Sequence, residues 1–182
     1  MHCTPKPPGD VVAALSIEAV RQGHALWFRV ASGSMRPLLQ IDDAVLIRPA
    51  RADEIKIGDI AAFTTAKGLL IHRIVHRQQG DTSSRLLQMG DGEVRPGWIE
   101  GQTVIGRVVA LRRGHTIVDL QHPLARWWNT IIATVRYWRY IIARSPLLHM
   151  LARGCTFAVC RVGCCSIHIF CRSSQPETLF DV

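Results

Sequence analysis

At 182 residues, 48% of them hydrophobic, the chain is long enough for one well-formed core and a smaller appendage, which excludes an array of large domains. Its formal charge of +8 marks a surface that attracts anions, either nucleic acid or an acidic lipid face, and does not choose between them. The first ten residues hold no secretory signal, and the apolar segment after them is interrupted by Glu18, Arg21 and Gln22, so export by that route is not expected.

In chain order, Asp10 as an N-cap, apolar Val11, Leu15, Ala19 and Val20, and Gly23 as a stop predict a short amphipathic helix whose role is packing. From Ala25 the pattern changes to strand-length apolar runs divided by Gly, Asp, Pro and Ser. These are Leu26 to Val30, Ala44 to Ile47, Ile60 to Phe63, Leu69 to Ile71 with Ile74 and Val75, Leu86 to Met89, and Val104 to Val109. Short runs at near-regular intervals predict a closed or strongly coiled antiparallel sheet.

After Asp119 the composition shifts, and Gln121-His122-Pro123 marks a boundary. Between Leu124 and Arg144 a helical projection puts Arg126, Arg136, Arg139 and Arg144 on one side. Trp127, Ile131, Val135, Trp138, Ile141 and Ile142 fall on the other. Such a basic amphipathic helix can lie in a lipid interface or pack on the sheet, and sequence leaves both open. Its arginines argue against a spanning helix. The distribution of Arg with Trp, Tyr and Ile favours an anionic membrane surface over nucleic acid as partner.

Cys155, Cys160, Cys164, Cys165 and Cys171 follow, with His168 nearby, and none forms a paired Cys-x-x-Cys zinc signature. A buried or adventitious thiol cluster is the favoured reading, with metal binding or lipidation as alternatives. The last ten residues, Ser173 to Val182, are polar enough for a loose tail. The organisation expected is a lead-in and helix over 1–24, a β-rich unit over 25–119, a basic amphipathic helical region over 120–153 and a Cys-rich segment with tail over 154–182.

Chemistry is concentrated in Ser32-Gly33-Ser34-Met35-Arg36-Pro37, Ile71-His72-Arg73-Ile74-Val75 and Met89-Gly90-Asp91. They supply a serine, a histidine and a carboxylate. A serine hydroxyl attacks well only when an adjacent base takes its proton and a third group holds that base in the right tautomer. His76, four residues beyond His72, would share its strand face and is the fallback base. Lys67, beside Gly68 in a hairpin turn, reads as a solvated turn residue, and Asp43 and Asp59 read as turn structure.

The Ser-Gly-Ser-Met-x-Pro segment resembles the nucleophile box of type I signal peptidases. Gly58-Asp59-Ile60, His72-Arg73-Ile74-Val75, Gly90-Asp91 and Gly106-Arg107-Val108-Val109 resemble that family's later boxes, in its order. The resemblance covers residues 26 to 112 and, with histidine in place of lysine, is to the archaeal and endoplasmic-reticulum branch. It implies a mainly β, signal-peptidase-like coiled antiparallel sheet or barrel with a short N-terminal helix and a C-terminal amphipathic region.

The resemblance further implies Ser34 as nucleophile, His72 as general base and acid, and Asp91 as the carboxylate orienting His72, with Glu93 second. Ser32 and the Ser34 N–H would form the oxyanion hole. Gly33 would shape the turn that exposes the hydroxyl, with Met35 and Pro37 forming the pocket.

The chain departs from the family pattern at Asp42, where glycine is more usual, and in having no second aspartate some six residues after Gly90-Asp91. It also has no run of about 20 apolar residues ahead of the serine.

The activity implied is serine-type endopeptidase, with no cofactor and no metal, acting on a protein or peptide that bears a signal or leader. Peripheral membrane association through the C-terminal region is the expected location, side unspecified, with no nucleic-acid partner. Alternatives are a catalytically decayed peptide-binding module and a cytoplasmic leader peptidase for small modified peptides. A self-cleaving repressor would need a DNA-binding helix pair and a cleavage linker ahead of Ser34, and 33 residues are too few for both.

Overall fold

The computed structural model describes residues 9–66, 68–80 and 84–143. The Cys155 to Cys171 cluster, Lys67, Arg144 and the C-terminal tail lie outside the described residues. Helix α1 (Gly9–Arg21) leads into β1 (Leu26–Arg29), β2 (Ala44–Pro49), β3 (Ile60–Thr65), β4 (Gly68–Gln79), β5 (Ser84–Met89), β6 (Gly97–Glu100), β7 (Val104–Arg113) and β8 (Thr116–Asp119). Helix α2 (Pro123–Ala143) closes the described part.

Every strand pair is antiparallel, in the order β1-β2-β7-β3-β4-β5-β6, with β8 added on β7. All six apolar runs become strands. Two strands went unpredicted, β6 and β8, because four residues of Gly-Trp-Ile-Glu or Thr-Ile-Val-Asp carry too little alternation to stand out.

The α1 helix ends as expected. Gly23 takes φ +106, a left-handed conformation that costs glycine little, and His24 N–H closes onto the Ala19 carbonyl at 3.0 Å. Only its C-terminal half packs: Val20 is fully buried and Ile17 lies against the same cluster, whereas Val11 and Leu15 face solvent.

The largest apolar cluster joins Val20 to strands β2, β3 and β7 and to Met35, Leu38 and Leu39 from the segment after Ser34. Met35 is buried at 2% exposure, so it anchors the loop that carries Ser34 in the core. Burying such a side chain is worth about 2 kcal/mol, which offsets the ordering of only one or two residues, so Val30, Leu38 and Leu39 from the same segment share the task of holding the loop.

A second cluster of Ile55, Ala61, Phe63, Ile74 and Leu86 fills one face of β3, β4 and β5. The third, Val75, Leu87, Met89 and Ala133 with Tyr137 and Tyr140, joins the other face to α2.

Helix α2 therefore packs on the sheet, but not through its predicted apolar side. Ala125, Asn129, Ile132 and Ala133, spaced at helical intervals, are its buried residues. Gly58 lets it approach: a Cβ there would lie 2.8 Å from the Thr130 nitrogen. The predicted apolar side is left largely outward, with Trp127 58% and Trp138 59% exposed. Where the helix crosses closest to the strands the contact is made by small and polar residues, Ala125, Asn129 and Ala133, with Ile132 buried beside them.

Candidate active site

The site is built where the β1–β2 connection meets the first half of β4 and the end of β5. Ser34 Oγ lies 3.0 Å from His72 Nε2, and Ser32 Oγ lies 3.3 Å from Ser34 Oγ. The loop is held by its own turn, with Arg36 N–H donating to the Gly33 carbonyl and Leu39 N–H to the Met35 carbonyl. Gly33 is not in the left-handed region. Its bare Cα instead gives room to the Arg36 side chain, whose Nε would stand 3.3 Å from an added Cβ.

Asp42, where the resembled family more often has glycine, adopts φ 71, so the turn keeps a glycine-like shape with an aspartate in it. Asp43 accepts from Arg113 Nε at 2.8 Å and Gln40 N–H at 2.7 Å, and Asp59 accepts from Lys56 N–H at 2.9 Å. Both are structural, as expected.

His72 is buried at 3% exposure on β4, edge-on to Phe63, with Ala61 directly opposite it on β3. Its Nδ1 faces Gln88 Oε1 on β5. That corrects the expectation for Asp91, which does not touch His72. Asp91 forms a buried fork with Arg73, Nε to Oδ1 at 2.8 Å and Nη2 to Oδ2 at 2.7 Å. The physical reason is strand alternation: Arg73 follows His72 and points to the opposite face, where it also donates to the Gly58 carbonyl and to Asn129 Oδ1. A guanidinium with no exposed side-chain surface needs a charged partner, and Asp91 supplies it.

His76 is not a fallback base. The β4–β5 register shifts between Ile74 and His76, so that Ile74 pairs with Gln88 and His76 with Leu87. This bulge puts His76 on the helix-facing side, stacked on Tyr137 at 4.5 Å. The even offset from His72 would have given the same face only in a regular strand.

The turn after β5 completes the site. Gly92 N–H donates to the Ser34 carbonyl at 2.7 Å. Gly90 sits so close that a Cβ there would lie 2.6 Å from the Ser34 carbonyl oxygen, 3.0 Å from His72 Nε2 and 3.2 Å from the Glu93 carboxyl carbon. Any side chain at 90 would therefore intrude on the serine–histidine contact. Glu93 is exposed and stands across Gly90 from the imidazole, not at Nδ1.

From α2, Arg136 donates to the Gly90 carbonyl at 2.6 Å, to the Asp91 carbonyl at 2.8 Å and to the Glu93 carbonyl. The helix thus fixes the turn that fixes the serine. Sequence reasoning missed Gln88, Arg73 and Arg136. The only available signals were an amide inside a strand of apolar residues and an arginine between His72 and Ile74.

Among the described residues no group of His, Cys, Asp and Glu is placed to hold a metal ion, and no helix is long and apolar enough to cross a membrane. Comparison of the chain with models of protein families and with curated proteins found no match.

Proposed function

We propose that this protein is a serine endopeptidase of the signal-peptidase type, with Ser34 as nucleophile and His72 as general base. The observation that carries the reading is the 3.0 Å contact between Ser34 Oγ and His72 Nε2, formed by residues 38 positions apart in segments that resemble the family's boxes. His72 takes the Ser34 proton as Oγ attacks the scissile carbonyl, then returns it to the leaving amine. Water enters in the second half, giving its proton to His72 as it adds to the acyl carbon, and His72 passes that proton to Ser34 Oγ as the Oγ–acyl bond breaks. The Ser34 N–H and the Ser32 hydroxyl stabilise the oxyanion. No cofactor is needed for this sequence of steps.

The substrate is a protein or peptide carrying a signal or leader. A signal-peptidase-like coiled sheet is part of the same proposal. So is peripheral attachment to an anionic membrane surface rather than to nucleic acid. Two features support that attachment: the outward stripe of Leu124, Trp127, Trp138 and Ile141, and the absence of any acidic residue between Asp119 and Glu177.

One observation favours a second reading. Asp91 is occupied by Arg73, so His72 has no carboxylate at Nδ1, as in a peptide-binding module that has lost its catalysis.

Labelling with a fluorophosphonate probe separates the two. Labelling of the wild type that disappears in Ser34→Ala and His72→Ala supports the peptidase. A folded wild-type protein that stays unlabelled, with and without lipid vesicles, overturns it in favour of the binding module.

A further inference from the structure

Ser34 can pass its proton to His72 Nε2 only if that nitrogen carries a lone pair, which requires the ring proton to be on Nδ1. The group facing Nδ1 decides this. A carbonyl oxygen there accepts Nδ1–H and leaves Nε2 free to act. An amide NH2 there would donate to Nδ1, drive the proton to Nε2 and leave the imidazole unable to accept from serine.

Gln88 can present either end, and the structure presents the oxygen. Its other end lies in the space that a side chain at Gly97 would fill. Gln88 pairs with Gly97 across β5 and β6, and a Cβ on Gly97 would lie 2.6 Å from Gln88 Nε2. Any larger residue at 97 would push the amide nitrogen out of its seat and turn or displace the oxygen on His72.

We infer that Gln88 is the positioning residue of the serine–histidine pair, holding His72 in the Nδ1–H tautomer through its carbonyl, and that Gly97 leaves the space its amide nitrogen occupies. This rests on the peptidase reading of Ser34 and His72 and assigns to a neutral amide the orienting part of the carboxylate's task. It leaves out the electrostatic part. When the serine proton reaches Nε2, the imidazolium faces an amide dipole instead of a negative charge, while Asp91 is matched by Arg73 on the opposite face. Gln88→Glu therefore adds what the site lacks at the same reach, and makes the enzyme faster.

The test is 15N NMR of the His72 ring in protein carrying labelled histidine, together with the rate of fluorophosphonate labelling. The His72 signal is identified by its loss in His72→Ala. At a pH where the ring is neutral, the wild type shows protonated Nδ1 and unprotonated Nε2. Gln88→Leu, similar in size and half-buried, shifts the ring toward protonated Nε2 and slows labelling by about 10²-fold or more. Gln88→Glu keeps the wild-type tautomer and labels about tenfold faster. Gly97→Ala falls between wild type and Gln88→Leu in both readouts.

A wild-type ring protonated on Nε2 overturns the assignment, as does a tautomer and rate unmoved by Gln88→Leu. A Gln88-dependent tautomer in a wild-type protein that never labels supports the positioning role and overturns the peptidase reading alone.

Discussion

His72 and Arg73 are neighbours on one strand, and both are buried, at 3% and 0% exposure, yet they are treated in opposite ways. Arg73 is saturated: a carboxylate fork, a backbone carbonyl and an asparagine side chain take its donors. His72 has one neutral acceptor at Nδ1 and one hydroxyl at Nε2, which itself opens toward the loop surface. A fully matched buried charge ties the sheet to α2 and has no valence left for reaction. The buried imidazole instead meets only neutral groups, an amide oxygen at Nδ1 and a hydroxyl at Nε2. The buried carboxylate of Asp91 goes to the residue that could not be buried without it.

The largest effect that sharpens this comparison is on the reactive face. Ser34→Ala and His72→Ala each lower fluorophosphonate labelling by about 10³-fold or more while the urea midpoint of Ser34→Ala stays near wild type.

On the matched face the loss is in stability. Asp91→Ala strands a buried guanidinium and costs about 3–5 kcal/mol in urea unfolding. Joint replacement of Arg73 and Asp91 by Met and Leu costs less than that. If Asp91→Ala kept full stability and lost labelling, the division between the two faces would be broken.

Gly90→Ala falls between them. Its Cβ would meet the Ser34 carbonyl oxygen and His72 Nε2, so labelling drops about 10- to 100-fold with a stability loss of about 1–3 kcal/mol. The smallest effect is at Asp42. Its φ of 71 suits glycine, and Asp42→Gly raises stability by about 1 kcal/mol with labelling unchanged, measured in the same assays. The Arg29–Asp42 pair lost in that variant is highly exposed at both ends and subtracts little.

Ser34 and His72 were legible because each sits in a distinctive run of residues, and the strands because apolar runs of four or more declare themselves. The third member was not, for reasons of register. Which side chain meets Nδ1 depends on the pairing of β4 with β5 and on the bulge between Ile74 and His76, neither of which a single sequence displays.

The carboxylate was assigned to His72 from box order, when the arginine one position later had the stronger claim on it. Helix α2 was legible as a helix, but its contact side was not. Apolarity pointed to the Trp127 and Trp138 stripe, while the contact uses Ala125, Asn129, Ile132, Ala133 and Arg136, among which only Ile132 is a large apolar residue.

Arg136 gathers three carbonyls of the 90–93 turn from a helix that begins after the last strand. The piece of chain that holds the candidate site together is therefore longer than the piece that resembles. A fragment trimmed at Asp119 would retain Ser34, His72 and Gln88 and every strand between them, yet leave the Gly90 turn unbuttressed and Arg73 short of its asparagine. Transplanting the proposed activity into another protein would mean moving residues 9–143 as one piece, because Val20 of α1 is fully buried in the main core cluster.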